Sequence, residues 1–328
     1  MNELRNNAVS EVAIDEVSAG QRLDNFLART LKGVPKSHLY RIVRSGEVRV
    51  NGRRAGPDVR LAEGDRVRIP PIRTAQPASP AAAAAGAARA GERLVVLYED
   101  DDLVALDKPA GVAVHGGSGI AHGVIERLRA ARPAARFLEL VHRLDRETSG
   151  VLLVAKRRPA LTALHAAWRA GEVDKRYQVL VRGRWRDAKR VVRLAVHRYT
   201  TRDGERRVRV EDEGQHAQTT FRRLAVWPDR DPPLALLEAE LHTGRTHQIR
   251  VHLTHLGFPL AGDDKYGDFG WNRELAKAGL KRMFLHAARL ALAHPRTGEA
   301  LAFASPLPSD LAAFVASLGA GSTEAARG

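Results

Sequence analysis

The sequence contains no cysteine among its 328 residues, and aromatic residues make up only 5% of it. The absence of cysteine excludes disulfide bonds, thiolate nucleophiles and cysteine-ligated zinc. No run of about 18 apolar residues occurs, so no segment is expected to span a bilayer. The N-terminal stretch MNELRNNAVSEVAIDE lacks an apolar region, which argues against secretion and favours a cytoplasmic location.

Acidic residues are few relative to basic ones, with 38 Asp and Glu against 53 Lys and Arg, for a net charge of +15. Such an excess of positive charge attracts a polyanion, because each neutralised phosphate releases counterions. Arginine outnumbers lysine, which suits bidentate phosphate contacts and stacking on bases. A nucleic acid is therefore the expected partner, and arginines that merely solvate the surface are the alternative. No basic amphipathic helix with an aromatic face indicates membrane binding.

The composition divides the chain into four zones, and its length fits about two domains. Residues 11–70 are expected to form a small α+β domain. Residues 71–92 are rich in Pro, Ala and Gly and are predicted to be a linker. Many short β patterns follow in residues 93–318, and residues 319–328 form a polar tail.

Two short helices are predicted in the first zone. One carries an apolar stripe at helical spacing, formed by Leu23, Phe26, Leu27 and Leu31. The other is predicted over KSHLYRIVRSG, with Ser37 as its N-cap and Gly46 as its stop signal. The apolar side of this second helix consists of Leu39, Ile42 and Val43. Its opposite side carries the cations Lys36, Arg41 and Arg44.

Alternating apolar and basic residues after these helices predict a short sheet, with turns at Asn51-Gly52 and Gly64-Asp65. Together with Arg49 on this sheet, the basic helix face would position an RNA through its phosphates without reading its sequence. Arginines that only solubilise a small domain are the alternative. The segments AGQRLDNFL, SHLYRIVRSGEVRVNG and GDRVRI resemble the S4 RNA-binding module.

The densest polar cluster of the chain is LVHRLDRETSGVLLVAK, residues 140–156. Apolar segments on both sides predict strands, and the loop between them holds His142, Arg143, Asp145 and Glu147. So many charges between buried strands are costly unless they pair with one another or form a site. Because function concentrates in loops on rigid strands, we predict a site here.

A second polar cluster, LHTGRTHQIRVHLTHLG, places Arg245, His247 and Arg250 around Gln248. Its histidines follow no common zinc spacing, and no carboxylate lies within the segment, so no metal is expected. The two clusters together suggest a carboxylate held ionised by an arginine. Such a carboxylate can act at the anomeric carbon of a sugar as nucleophile, base or electrostatic support. From the residues alone, a conventional glycosidase that also uses Glu147 stays open.

The segment HRLDRETSG resembles the central motif of the RluA-type pseudouridine synthases, in which the aspartate is catalytic. DKPAGVAVHGG resembles the first motif of that family, DKRYQVLVRG its tyrosine-bearing segment and GRTHQIRVH its arginine-bearing segment. The resemblance covers nearly the whole chain outside the linker and tail. It implies an α+β protein: an S4-like domain and a larger domain with a mixed, mainly antiparallel sheet flanked by helices. Glu147, where aspartate is common, and Gln215, where lysine is usual, depart from the pattern.

The resemblance also implies an activity, an isomerase that converts uridines of 23S ribosomal RNA to pseudouridine. The enzyme breaks the N1–C1′ bond, turns the uracil and rejoins it through C5, and it needs no cofactor and no metal. Asp145 would attack C1′ or abstract the C2′ proton, and Arg245 would pair with Asp145. Tyr177 would lie against the uracil ring and help with the C5 proton. Arg143 would occupy the space of the extruded uridine, and pairing with a phosphate is its alternative role.

Lys108 and His142 are further expected RNA contacts. The implied partner is 23S ribosomal RNA or a large-subunit precursor, bound by a monomer without a small-molecule cofactor and away from any membrane. Two other classes of protein stay open: a non-catalytic ribosome-binding protein, and an RNA N-glycosidase that would release free uracil.

Overall fold

A computed structural model describes residues 9–15, 18–31, 34, 36–72, 94–116, 123–201 and 205–322. The chain divides into two compact units, Met1–Arg89 and Ala90–Gly328. Most of the predicted linker, the last six residues of the predicted tail and the side chain of Lys36 lie outside the described part of the chain. No helix in the described ranges is long and apolar enough to cross a membrane.

The first unit packs two helices against a small antiparallel sheet. Its elements are β1 (Ser10–Ala13), α1 (Leu23–Thr30), α2 (Lys36–Arg44), β2 (Arg49–Val50), β3 (Arg53–Arg54) and β4 (Arg66–Ile69). The strands lie in the order β1-β4-β2-β3. The predicted apolar faces of both helices are buried in one core that also includes Val48, Val67 and Ile69. Both predicted helices are thereby confirmed.

Local backbone chemistry sets the turns of this unit. Asn51 and Gly52 have φ angles of 50° and 76°, which is the backbone that a two-residue hairpin turn requires. Gly46 has a φ of 78°, and the amide of Glu47 donates to the carbonyl oxygen of Ile42 at 3.1 Å, so that α2 ends where glycine predicts. The predicted N-cap Ser37 is wrong, because the helix already includes Lys36 and Ser37 lies in its first turn.

The second unit is built on a large mixed sheet with helices packed around it. Its elements are β5 (Val95–Glu99), β6 (Leu103–Lys108), α3 (Val124–Ala131), β7 (Glu139–Leu140), β8 (Ser149–Ala155), α4 (Arg158–Ala170), β9 (Asp174–Arg182), β10 (Lys189–Arg193), β11 (Val196–Thr200), β12 (Arg206–Val210), β13 (Gln218–Trp227), β14 (Leu234–Leu241), α5 (Gln248–His255), α6 (Phe269–Lys277), β15 (Leu285–Ala293), β16 (Ala300–Ala304) and α7 (Ser309–Ser317).

Eight strands of this sheet follow the order β10-β13-β14-β9-β15-β8-β6-β5, while β16 pairs with β15 and β7 pairs with β8. Every pairing is antiparallel except that of β15 with β8. Strands β11 and β12 form a separate hairpin. The predicted class, an α+β protein with a mainly antiparallel mixed sheet, is confirmed.

The parallel pair in the middle of the sheet determines where the polar loop before β8 lies. His286 and Ala287 of β15 align with Ser149 and Gly150 of β8. Gly150 has a φ of 111°, and a Cβ atom there would lie 2.2 Å from the carbonyl oxygen of Ala287. Only glycine allows this backbone approach. The loop that contains Asp145 therefore ends at the centre of the sheet, one strand away from β9.

Candidate active site

Asp145 lies in the loop between β7 and β8, at the wall of a pocket of about 420 Å³. The amide of Thr148 donates to the backbone carbonyl oxygen of Asp145 at 3.1 Å and closes the turn. Arg250 Nη1 donates to Asp145 Oδ2 at 3.1 Å, and His247 Nε2 lies 3.7 Å from the same oxygen. The Asp145 side chain is 20% exposed, so the carboxylate can be reached from the pocket while Arg250 positions it.

Arg250 is itself held by a second carboxylate. Its Nε and Nη2 donate to the two carboxylate oxygens of Asp263 at 2.8 Å and 2.6 Å, and the Asp263 side chain is fully buried. The amides of Lys265 and Tyr266 also donate to Asp263 Oδ1. Burial would raise the pKa of Asp263, but the hydrogen bonds and charge of Arg250 with these amides hold that pKa below its usual value. Asp145 therefore faces a fixed cation.

The predicted pairing of Arg245 with Asp145 is wrong. Arg245 is exposed, and its Nε donates to the carbonyl oxygen of His216 at 3.0 Å. The side-chain oxygen of Gln248 accepts hydrogen bonds from the amide of Arg245 and from the Thr243 hydroxyl, which holds this loop in front of α5. Arg245 thus lies in the loop at the pocket rim, whereas Arg250 lies inside α5 and turns into the core.

His247 stands between the two clusters at a strained backbone position. Its φ of 54° is left-handed, which is uncommon for a residue other than glycine, and such strained positions are enriched at functional sites. Its Nδ1 lies 2.8 Å from the hydroxyl of Tyr266. Burial lowers the pKa of His247, the charge of Asp145 opposes that shift, and Arg250 reinforces it. A neutral imidazole therefore borders the carboxylate.

Tyr177 enters the same pocket from β9, with 9% of the residue exposed. Burial, reinforced by the charge of Asp145, raises the pKa of the Tyr177 phenol well above its usual value. The phenol is therefore protonated at neutral pH and can donate a hydrogen bond. The structure brings the predicted residues Arg143, Asp145, Tyr177 and Arg245 together around one pocket.

The prediction that Lys108 contacts RNA is wrong, because this side chain is fully buried. Its ammonium donates to the carbonyl oxygens of Pro109, Val112 and Arg146 at 2.9, 2.8 and 3.0 Å. Burial lowers the pKa of Lys108 to about 7, against the opposing charge of Glu147. Because Arg146 directly follows Asp145, the hydrogen bond from Lys108 to the Arg146 carbonyl oxygen restrains the backbone of the Asp145 loop.

His142 lines the pocket but has structural partners. Its Nε2 accepts a hydrogen bond from the amide of Leu153 at 3.0 Å, and its ring stacks on Trp168 with ring centroids 5.0 Å apart. Burial, together with the charge of Lys175, lowers the pKa of His142 to about 3. The imidazole is therefore neutral and forms part of the pocket wall, which gives no support to a charged contact with phosphate.

In the first unit, the predicted cations Arg41, Arg44 and Arg49 are all exposed. Arg41 lies 3.2 Å from the His38 ring, and Arg44 lies 6.0 Å from the ring centre of Tyr40. Neither contact neutralises the charge, so this face keeps its basic character. The fourth predicted cation, the side chain of Lys36, lies outside the described residues.

Sequence reasoning missed the roles of Arg250 and Asp263. The segment AGDDKYG fitted the family pattern, but its first aspartate received no role. A useful signal was present, since an acidic pair follows the apolar segment Phe258–Ala261 and would be costly to bury without a cation.

Potential metal ligands among the described residues lie elsewhere, in the group Asp100, Asp102 and His294. Their oxygens already have protein partners. Arg296 Nε donates to Asp102 at 2.6 Å, and the Tyr98 hydroxyl donates to Asp100 at 2.8 Å. The arrangement is that of an ion-pair cluster, and it gives no support to a metal.

The fold and the site define an enzyme unit with a basic, carboxylate-containing pocket, joined in one chain to a small basic domain. The RNA pseudouridylate synthase family model matches residues 102–255, and the S4 domain model matches residues 21–67. Ribosomal large subunit pseudouridine synthase C of Salmonella typhimurium and of Escherichia coli are each 50% identical over 306 residues, covering 93% of this chain and 95% of theirs. The Haemophilus influenzae protein of the same name is 48% identical over 313 residues, covering 95% and 96%.

Two solved structures of RNA pseudouridylate synthase domain proteins are also similar to this chain. Human RNA pseudouridylate synthase domain containing 1 has a TM-score of 0.55 and 26% identity, covering 70% of this chain and 96% of that one. Human RNA pseudouridylate synthase domain containing 4 has a TM-score of 0.56 and 26% identity, covering 68% and 92%. The chain belongs to the RNA pseudouridylate synthase family.

Proposed function

We propose that this protein converts uridines of 23S ribosomal RNA, or of a large-subunit precursor, to pseudouridine. The observation that carries the proposal is the Asp145 carboxylate, which Arg250 holds at 3.1 Å beside the buried phenol of Tyr177 in one pocket. The choice of RNA is supported by the near-full-length similarity to proteins named ribosomal large subunit pseudouridine synthase C.

Asp145 is the proposed catalytic residue, acting either as nucleophile at C1′ or as base toward the C2′ proton. Both roles require a charged carboxylate in a fixed orientation. Arg250 provides the orientation, because its other two nitrogens are bound to Asp263 and it cannot turn away. The amide hydrogen bond from Thr148 restricts the loop backbone as well.

Tyr177 is proposed to lie against the uracil ring. Its raised pKa keeps the phenol protonated near neutral pH, so that it can donate a hydrogen bond to the base. Exposed arginines surround the mouth of the pocket, namely Arg143, Arg169, Arg198 and Arg245. These side chains can contact the phosphates on both sides of the target nucleotide.

Arg143 is proposed to occupy the space of the extruded uridine. Flipping a base out of its stack costs a few kcal/mol, and a planar guanidinium can stack where the base was. Arg143 suits this task because it is exposed, lies two residues before Asp145 and lines both the main pocket and an adjacent polar cavity.

The proposed domain organisation assigns RNA binding to residues 11–70, with Arg41, Arg44 and Arg49 as phosphate contacts. Residues 71–92 serve as a linker, residues 93–318 as the catalytic domain and residues 319–328 as a tail. The proposed enzyme acts as a monomer in the cytoplasm on ribosomal RNA and uses no small-molecule cofactor.

The test is tritium release from a 23S ribosomal RNA transcript labelled at uridine C5, which reports loss of the C5 proton. We expect the wild-type protein to release tritium, Asp145→Asn to release none, and both to bind the RNA equally. Asp229→Asn, which changes a carboxylate in an exposed turn, is the matched control and retains activity.

Other outcomes identify the alternatives. RNA binding without tritium release by the wild type would indicate a non-catalytic ribosome-binding protein. Release of free uracil, detected by chromatography, would indicate an RNA N-glycosidase. A tenth or more of wild-type turnover in Asp145→Asn would remove Asp145 from the proposed mechanism.

A further inference from the structure

Lys175 is a buried cation that faces the pocket. It lies on β9 two residues before Tyr177, it is 6% exposed, and it lines the same cavity as Asp145. Among the residues that the structure describes, no oxygen accepts a hydrogen bond from its ammonium. The ammonium lies 6.0 Å from the centre of the Trp168 ring, and its charge also acts on His142.

The neighbouring carboxylate, that of Asp174, does not accept a hydrogen bond from Lys175. Asp174 is the adjacent residue on the strand, so its side chain points to the opposite face of the sheet. Both oxygens of Asp174 accept hydrogen bonds from Arg176 Nε, at 3.1 and 2.9 Å. The charge of Asp174 reaches Lys175 only at a distance.

A largely buried cation without an oxygen acceptor is unfavourable, because neither a partner nor full hydration replaces the water that it loses. The Lys175 Nζ atom retains some exposure to the pocket, since it is not among the described buried atoms that lack a partner. Burial lowers the pKa of Lys175, and the charge of Asp174 only partly opposes this shift. The Trp168 ring offsets a small part of the penalty. A bound ligand that brings an oxygen acceptor into the pocket would satisfy the ammonium.

The position of Lys175 favours the base over a phosphate as the source of that oxygen. Residues i and i+2 of a strand point to the same face about 7 Å apart, so Lys175 faces the region where Tyr177 would hold the uracil ring. A phosphate would have to lose its hydration to reach so deep a group. The rim arginines named above already offer exposed contacts to phosphates. A uracil is flat and neutral and carries two carbonyl oxygens.

We propose that the Lys175 ammonium binds a carbonyl oxygen of the extruded uracil and stabilises the negative charge that the base acquires when the N1–C1′ bond breaks. This role rests on the proposed function. Whether Asp145 attacks C1′ or removes the C2′ proton, the electron pair of the broken bond passes to the uracil and spreads over N1 and the carbonyl oxygens. A preorganised cation in a water-poor pocket stabilises such a charge effectively.

The proton count of this step is simple. Lys175 donates a hydrogen bond throughout and gives up no proton. When C5 bonds to C1′, the electron pair of the uracil anion forms the new bond, and either the bond between Asp145 and C1′ breaks or C2′ regains its proton. The C5 proton then leaves to solvent and N1 takes up a proton, so that the product is an isomer of the substrate. That departing proton is the tritium that the assay counts.

The test compares Lys175→Met with Lys175→Arg in single-turnover tritium release at saturating enzyme. We expect Lys175→Met to slow release about 100-fold, the effect of removing one preorganised donor. Its RNA affinity and the salt dependence of that affinity are expected to equal those of the wild type. Lys175→Arg keeps the cation and recovers part of the rate. Lys277→Met, a surface change on α6, is the matched control and keeps the full rate.

Thermal unfolding supplies an independent readout. Methionine keeps the aliphatic stem beside Trp168 and removes the unpartnered charge, so we expect the melting temperature of Lys175→Met to rise by about 2–4 °C. A lysine with a purely structural role predicts the opposite, a lower melting temperature together with a slower reaction.

Three results would overturn the role of Lys175. The first is a wild-type rate in Lys175→Met. The second is weaker RNA binding with a salt slope reduced by about one and an unchanged saturated rate, which identifies a phosphate contact. The third is a lower melting temperature with no recovery in Lys175→Arg. Absence of release by the wild-type protein would instead overturn the proposed function, and this inference with it.

Discussion

Replacing Gly150 by alanine tests how the central strands position the Asp145 loop. The added Cβ would lie 2.2 Å from the carbonyl oxygen of Ala287 and 2.8 Å from its amide nitrogen. Because β8 and β15 are both interior strands of the sheet, neither backbone can move aside without disturbing its other neighbours. The φ of 111° is also a conformation that essentially only glycine adopts.

The loss of stability expected for Gly150→Ala has two contributions. A strained backbone conformation costs about 1–3 kcal/mol, and overpacking a rigid interior costs about 1–3 kcal/mol more. Gly171 provides the matched control in the same unit, because it also has a positive φ, 77°, but a Cβ there would meet no atom within 4 Å. Gly171→Ala is therefore expected to cost only the backbone contribution, about 1–2 kcal/mol.

The assay is denaturant and thermal unfolding of both variants, with tritium release measured beside it. For a unit of this size, each kcal/mol lowers the melting temperature by about 2–4 °C. We expect Gly150→Ala to lose clearly more stability than Gly171→Ala, and to lose activity as the Asp145 loop shifts from Arg250. Equal losses in the two variants, or full activity in Gly150→Ala, would refute this account of the central strand pair.

Three further predictions concern charge. Arg250→Met should abolish tritium release and lower the free energy of unfolding by about 3–5 kcal/mol, because it leaves the carboxylate of Asp263 buried without a cation. Arg245→Met should keep the fold and weaken RNA binding. Urea unfolding and activity assays compare the two variants. Asp263 has a lowered pKa in the folded state, so its contribution to stability is present above its unfolded pKa of about 3.9 and is lost as the pH falls further. Wild type should therefore lose its stability advantage over Asp263→Asn on acidification below about pH 4, and a constant difference across pH would contradict the assigned pairing. Deletion of residues 1–70 should weaken RNA binding and flatten its salt dependence, and an unchanged salt slope would show that this domain makes no phosphate contact.

The charged groups of the site form a chain of ion pairs that runs from the protein core to the pocket. Asp263 binds Arg250, and Arg250 binds Asp145, which is the one carboxylate of the three groups that reaches the pocket. Lys108 restrains the same loop through the carbonyl oxygen of Arg146. Breaking either restraint is expected to affect the rate more than RNA binding, because the proposed phosphate contacts are the exposed arginines at the rim.

Lys175 differs from these groups because its ammonium lacks a described oxygen partner. Replacing such a charge by an apolar side chain of similar volume is often neutral or stabilising, and a cation without an oxygen partner that lines a pocket is available to bind a ligand. We expect Lys175→Met to raise the melting temperature and to slow tritium release, which is a trade-off between stability and activity.

Local sequence determined much of this protein. Apolar spacing located α1 and α2, Asn51-Gly52 located a hairpin turn, and the polar loop at 140–156 located Asp145 between two strands. These features depend on backbone preferences and side-chain periods that act over a few residues, which is why they can be read without a structure.

Tertiary structure decided which charges meet and which are hidden. Arg245 and Arg250 are five residues apart and equally suited to bind a carboxylate, yet α5 directs only Arg250 toward Asp145, which is 105 residues away along the chain. Lys108, which the sequence predicts to contact RNA, is buried against three carbonyl oxygens, whereas Lys175, for which the sequence predicts no role, faces the pocket. The physical reason is that the energy of a charge depends on its desolvation and on its partners, and both are determined by strands and helices that are distant in sequence.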